Sequence, residues 1–327
     1  MSAQRHVTLS RLGQQVRIQP TGAALQAYTV DGTDLLDGFG PREEPVSVSG
    51  YRGATLVPWP NRVRGGRWDD HGVERQLAVN EPSRDTANHG LAADVEWQVR
   101  AESPGSGSPE TVTLGTGVGP ARGYPYTLDV TVTYALHADG LDVTTTVENR
   151  GTGEAPRDAP YGLGVHPYLS LGEERVDLIR IRADAATWLA PADDGIPQNE
   201  QPVAGSPLDL RDGVLLGDRR LDDCVGSLAR DADGRAWVHM DGTTSGCSVS
   251  MWLGPDYRWL MVFTGDALPM PERRRRAVAV EPMTCPPDAL RSGRGLLHLE
   301  PGEQRTSHWG LRTSGHTSER TAARPAG

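Results

Sequence analysis

Hydrophobic and polar positions alternate most cleanly between residues 128 and 148. Leu128, Val130, Val132, Tyr134 and Leu136 fall on one parity, with Asp129, Thr131, Thr133 and Ala135 on the other. His137-Ala138-Asp139-Gly140 then supplies turn chemistry, after which Leu141, Val143, Thr145 and Val147 alternate with Asp142, Thr144, Thr146 and Glu148. Successive side chains of a strand point to opposite faces, so this pattern predicts a β-hairpin with one dry face. Shorter strand-like runs occur at 7–9, 16–18, 247–253, 259–263 and 277–280, separated by clusters of Gly, Pro, Asp and Asn. No stretch longer than about a dozen residues keeps a 3.6-residue apolar period, so the crossover helices of a parallel sheet are missing. An all-β antiparallel sandwich or barrel is the expected fold class.

Composition agrees with short elements. The chain has 327 residues with 39 glycines and 25 prolines, roughly one punctuating residue in five against a usual one in eight. Length alone suggests two domains at about 150 residues each, but β-sandwiches run longer as single units. The expectation is one domain over 1–313, with SPGSGSP (103–109) as a loop inside it and 314–327 as a frayed, small and polar tail.

Charge narrows the chemistry. All 33 basic residues are Arg, against 43 acidic ones, for a formal charge of -10. The absence of Lys removes Schiff-base and P-loop lysine chemistry, and the negative balance argues against nucleic acid and anionic membranes as partners. The run Arg273–Arg276 reads as a solvated loop, because no aromatic residues interleave with it. Cys224, Cys247 and Cys285 show no CxxC and no zinc-like spacing, and neither a signal-like apolar segment nor an 18-residue apolar run occurs. A reduced cytoplasmic protein without metal or other cofactor is the expectation.

Two strands carry an unusual face. In Tyr161-Gly162-Leu163-Gly164-Val165-His166 the imidazole shares its side with two glycines, and in Ala277-Val278-Ala279-Val280-Glu281 the carboxylate shares its side with two alanines. Small same-side neighbours predict room for a ligand. Each polar residue is followed by proline, which holds its predecessor extended. An acid–base pair suits this arrangement, and so does the plainer alternative of a hydrogen-bonded His at a strand end and a Glu closing an edge strand. Val57-Pro58-Trp59-Pro60-Asn61-Arg62 adds an amide beside a planar guanidinium suited to vicinal hydroxyls. Asn88-His89-Gly90 adds a second imidazole in a turn.

At these residues the sequence resembles the aldose 1-epimerase family, the galactose mutarotases. The resemblance runs from about residue 10 to residue 311 through ordered blocks: PWPNRVRGGRW (58–68), NHGLAADVEW (88–97), GVHPYLSL (164–171), LDDCV (221–225), VAVEPMTCPPDAL (278–290) and PGE (301–303). The EPMTCPPDA and PWPNR forms are most similar to a bacterial branch that includes sulfoquinovose mutarotases. The resemblance implies a large antiparallel β-sandwich and cofactor-free interconversion of the α and β anomers of a free monosaccharide. It implies Glu281 as general base toward the anomeric hydroxyl and His166 as general acid toward the ring oxygen, with His89 as the second imidazole. Asn61 and Arg62 would orient the sugar, and Asp222 would bind its hydroxyls, with the neighbouring Asp223 as the alternative one position away. Trp59 and Trp252 are candidate stacking platforms for the sugar's C–H face, beside the ordinary packing role of tryptophan.

Three other readings stay open at this point. A sugar-binding sensor of the same fold would keep the cleft without the reaction. A glycosidase would use Asp222 as a second carboxylate. A sulfo-sugar or sugar-phosphate enzyme would need a further cation, for which Arg64 and Arg67 are the candidates. The blocks encode neither the identity of the sugar nor the oligomeric state.

Overall fold

The computed structural model describes residues 6–38, 46–103, 110–151, 157–192 and 195–314. The loop expected at 103–109 and the tail expected at 314–327 fall almost wholly outside the described residues; Ser314 itself ends the Gln304–Ser314 strand. Strands dominate, and the one α-helix among the described residues is the single turn Ala289–Ser292. Among the described residues no helix is long and apolar enough to cross a membrane.

The hairpin forms where the alternation places it. Strands Leu128–His137 and Gly140–Asn149 pair antiparallel with Val130 opposite Val147 and Leu136 opposite Leu141, and their apolar parity is buried. They lie inside a nine-stranded sheet. Across it run Gln98–Glu102, Thr111–Val118, the hairpin, Gln304–Ser314, Ser248–Leu253, Ala236–Gly242, Ile179–Ala183 and Val214–Leu215. The second large sheet runs Pro197–Pro202, Ala185–Pro191, Asp222–Leu228, Trp259–Phe263, Val278–Met283, Gly164–Val165 and Thr55–Leu56, with Tyr168–Leu169 also pairing to Val278–Met283. Every pairing in the two sheets is antiparallel, as the lack of crossover helices requires.

One core fills the space between the sheets. Val130, Val132, Leu141, Val249, Met251 and Leu311 from the first sheet join Val225, Leu260, Val262, Val278 and Val280 from the second. A four-stranded sheet built from Val7–Arg11, Gln14–Gln19, Ala24–Val30 and Thr33–Asp34 adds Leu9, Val16, Ile18 and Tyr28 to the same core. This is the β-sandwich architecture. Because Val278 and Val280 face inward, Ala279 and Glu281 must face the opposite side of the second sheet, where the functional side chains gather.

Two expectations about space need correcting. The room beside Gly162 and Gly164 is occupied by protein: a Cβ on Gly164 would lie 2.6 Å from Pro60 Cβ, and one on Gly162 would lie 2.3 Å from Cys285 Sγ. Ala277 and Ala279 likewise pack against Tyr168 and Leu268. The small residues therefore admit neighbouring side chains, and the proline they admit is the one preceding Asn61. Nor is the arginine run merely solvated. Arg273 pairs with Asp37 at 2.8 Å, Arg274 donates to Leu268 O, and Arg275 bonds Asp177 and Asp266.

Gly164→Ala should lower the midpoint of thermal unfolding, since overpacking against a rigid proline ring costs roughly 1–3 kcal/mol. Melting curves of the variant check this; an unchanged midpoint would show that Pro60 yields freely.

Candidate active site

The open face of the second sheet carries a cleft of about 320 Å³ lined by Asn61, Arg62, His89, His166, Asp222 and Glu281, together with Tyr51, Glu81, Arg84, Asn88, Tyr168, Phe263 and Leu268. Its size lies at the low end for small-molecule sites, as a single sugar ring requires. Six of the eight site residues expected from the sequence are thus brought to one place from five separate segments.

Glu281 and His166 face each other in the floor. Glu281 lies in the Val278–Met283 strand and His166 directly follows the Gly164–Val165 strand, which pairs with it through Gly164 and Met283. Their contact is 3.3 Å, from His166 Nε2 to Glu281 Oε1. Both are buried, and Glu281 Oε2 and His166 Nδ1 have no hydrogen-bond partner. A buried acceptor without a donor is costly unless a ligand supplies one. Burial pushes Glu281 well above the usual carboxyl range, with Asp222 raising it further and Arg62 opposing. Burial also pushes His166 down to about 3, helped by the positive charges of Arg52 and Arg62. Both shifts favour the neutral forms, a protonated carboxyl beside a neutral imidazole.

The second imidazole is locked by an unusual turn. Asn61 and His89 both have left-handed backbones, with φ of 56° and 60°. The Asn61 N–H donates to His89 Nδ1 at 3.2 Å, and the His89 N–H donates to Asn61 O at 3.0 Å. Nδ1 is therefore an acceptor, which leaves the proton of a neutral ring on Nε2. Burial, then His166 and Arg62, hold this ring well below the usual imidazole range. Gly90 is needed next to it: its φ is +72°, and a Cβ would lie 2.3 Å from Val57 O.

Arg62 is clamped by a residue that sequence reading missed. Glu81 accepts from Arg62 Nε at 2.7 Å and Nη2 at 3.1 Å, and also from Thr86 Oγ1 at 2.7 Å. The planar fork expected to grip sugar hydroxyls is thus largely engaged by this carboxylate, which fixes where the remaining guanidinium edge points. Nothing in the stretch around Glu81 marks it as special. Tyr168, by contrast, follows His166 at the same strand parity, and Asn88 adjoins His89, so both had a local signal.

Asp222 lies in the cleft, on the side of the sheet shared with Phe263 and Ala279. Asp223 has the opposite parity; its carboxylate accepts from Trp188 Nε1 at 3.0 Å and from the Asp222 N–H. Burial raises the Asp222 carboxyl while Arg62 and Arg84 lower it.

The two tryptophan platforms are not where the sequence reading put them. Trp59 is buried in the main core, 6.4 Å from the Tyr124 ring. Trp252 sits in the nine-stranded sheet, covered by Arg235 and Arg312. Parity named the correct outer face for Trp252, but the face belongs to the other sheet. Aromatic surface in the cleft comes from Tyr51, Tyr168 and Phe263 instead. Arg64 and Arg67 also stay out of it; the Arg64 N–H bonds Asp288 and the Arg67 side chain bonds Gln76. Among the described residues no group of three or more His, Cys, Asp or Glu is arranged to hold a metal.

A raised carboxyl has a signed consequence for stability. Glu281 in the folded protein holds its proton above the ordinary value of 4.5, so its stabilising contribution is complete below that value and is lost as pH rises through the folded one. Glu281→Gln cannot ionise. Its melting temperature should therefore gain on that of the natural protein as pH rises above 4.5. Thermal unfolding of both across the pH range checks this, and a gap that is flat or shrinks with pH contradicts it.

The chain is similar to known proteins over most of its length. The sequence profile of the family described as Aldose 1-epimerase matches residues 5–312. The chain is 33% identical to the uncharacterized protein YihR of Escherichia coli strain K12 over 298 residues, covering 91% of this chain and 89% of that protein. It is 28% identical to the galactose mutarotase of Sus scrofa over 190 residues, covering 57% of this chain and 52% of that protein. Among solved structures, a GalM/aldose epimerase homologue from C. elegans matches with a TM-score of 0.83 at 17% identity, covering 95% of this chain and 98% of the other. A putative aldose 1-epimerase from Escherichia coli K12 matches with a TM-score of 0.79 at 24% identity, covering 95% and 99%. With a β-sandwich of the same fold and a family match running nearly end to end, the chain belongs to the aldose 1-epimerase family.

Proposed function

We propose that this protein is a mutarotase, interconverting the α and β anomers of a free monosaccharide by acid–base opening and closing of the ring. The observation that carries the reading is the buried Glu281–His166 contact, with an unpartnered polar atom on each residue, in a cleft of sugar size.

Opening a hemiacetal removes one proton from the anomeric hydroxyl and delivers one to the ring oxygen. Glu281 as carboxylate takes the first, and His166 as imidazolium gives the second. Both groups are then neutral, beside an open-chain aldehyde. Rotation about C1–C2 followed by the reverse transfers closes the ring on either face, and no proton is gained or lost overall. The resting protonation of the pair, neutral on both sides, thus matches the open-chain stage. A bound sugar favours the ionic form by giving hydrogen bonds to the otherwise unpartnered Glu281 Oε2. Asn61, Arg62, His89 and Asp222 hold the hydroxyls, and the Nε2–H of neutral His89 is a donor beside the ring oxygen.

Removing either proton carrier should show in turnover. Glu281→Gln and His166→Asn should each lower kcat by at least about 10², with a smaller change in KM. Arg62→Ala should weaken binding as well as rate, because it orients the sugar. Anomer exchange followed by NMR on free aldoses reads these effects, and a Glu281→Gln variant that keeps more than about a tenth of the turnover would move the base elsewhere.

A methyl glycoside distinguishes the other classes. It should bind and remain unchanged, because its anomeric oxygen carries no proton for Glu281 to remove. Release of methanol would indicate hydrolysis instead. Binding of free sugar without faster anomer exchange would indicate a sensor.

A further inference from the structure

Tyr168 lies two residues beyond His166 and stacks its ring on the imidazole, 5.1 Å between centroids and 11° from parallel. The Tyr168 hydroxyl donates to Gly50 O at 3.1 Å, and Tyr168 O accepts from the Asp37 N–H at 3.0 Å. Over this ring sits the guanidinium of Arg52, 4.7 Å from its centroid. Arg52 is only 1% exposed and does not line the cleft. Its donors go to Ser49 O, to Asp37 O and to the Asp37 carboxylate. Asp37 also accepts from Arg273 at 2.8 Å, so one carboxylate anchors both guanidiniums and holds that of Arg52 over the Tyr168 ring. The main chain couples the same two segments: the Gly53 N–H donates to His166 O at 2.8 Å, and the His166 N–H donates to Ala54 O at 3.1 Å.

We propose that Arg52 is a positioning residue for the acid–base pair, setting the plane of the His166 imidazole through the Tyr168 ring and making an imidazolium there a readier proton donor. This rests on the anomer-exchange reading above for its catalytic meaning. The groups facing His166 are Glu281 at 3.3 Å, His89 edge-on at 5.2 Å, the Tyr51 and Tyr168 rings, and the cations Arg52 and Arg62. Of these, Glu281 in its ionised form and, more weakly, the stacked tyrosine faces favour positive charge on the ring, whereas Arg52 and Arg62 oppose it. Cations that disfavour the imidazolium drive its proton toward the ring oxygen, while Glu281 drives reclosure. Arg62 touches the cleft and would change binding too. Arg52 does not, so its effect belongs in kcat and not in KM.

The test compares variants that keep the charge with variants that remove it. The His166 ring is followed by NMR in the full-length protein from about pH 5 to about pH 8, where the natural protein should keep it neutral. In Arg52→Met the ring should begin to protonate within that window, and kcat should fall about tenfold with KM within about twofold. Arg52→Lys, which loosens the same hydrogen bonds but keeps the cation, should leave His166 neutral and kcat within about threefold. Where Arg52→Met does not fold, Arg52→Gln retains a donor for Ser49 O and takes its place. A His166 ring that stays neutral in the uncharged variants overturns the proposal. So does Arg52→Lys behaving like Arg52→Met, since packing alone would then explain both. Anomer exchange by the natural protein is measured alongside. Its absence would overturn the proposed function while the titration still reports on Arg52.

Discussion

A carboxyl and an imidazole, 3.3 Å apart and both buried in the floor of a cleft, are the constraint around which the open face of the second sheet is arranged. Burying two ionisable groups is tolerable only while they share a proton and stay neutral or while a ligand completes their hydrogen bonds. The sheet contributes the rigidity. Glu281 sits mid-strand between Met261 on one neighbouring strand and the His166 segment on the other side, so the ladder fixes the backbones that carry the two side chains relative to each other.

The loops around the pair are stiffened by polar groups rather than by core. Asn61 and His89 exchange hydrogen bonds while each holds a left-handed backbone, a conformation that costs about 1 kcal/mol or more per residue and survives only where neighbours enforce it. Glu81 clamps Arg62 and is itself held by Thr86. Asp37 ties Arg52 and Arg273 together. The arginine run that looks like a solvated loop is in this way part of the support under His166. In a chain without lysine, the Glu81 and Asp37 staples use the planar guanidinium, which can satisfy two acceptors at once from a fixed orientation.

The fold class was legible because period-2 alternation is a local property. Each strand of the Leu128–Asn149 hairpin declares its dry face through its own residues, and the same logic puts Ala279 and Glu281 on the side opposite Val278 and Val280. The ordered blocks also placed Asn61, Arg62, His89, His166, Asp222 and Glu281 among the candidates, and all six line one cleft. The parity of Asp222 over Asp223 became decidable only once the pairing with Phe263 was known.

What the sequence determined by itself, then, was which residues alternate, which break the chain, and which chemistry-bearing groups share a strand face with small residues, because those depend on near neighbours. That Glu281 lies inside its strand rather than at the end came only with the pairing. The tertiary structure decided everything that depends on which strands become neighbours. Gly162 and Gly164 are small to admit Cys285 and Pro60, not a ligand, a fact visible only when segments about 100 residues apart meet. Trp252 faces outward as its parity requires, but on the sheet without the cleft, while Tyr51, Tyr168 and Phe263 supply the aromatic surface. Glu81 and Arg52 carry no local mark at all. Their roles come from hydrogen bonds and ring contacts across the fold, and long-range pairing of that kind has no period to read.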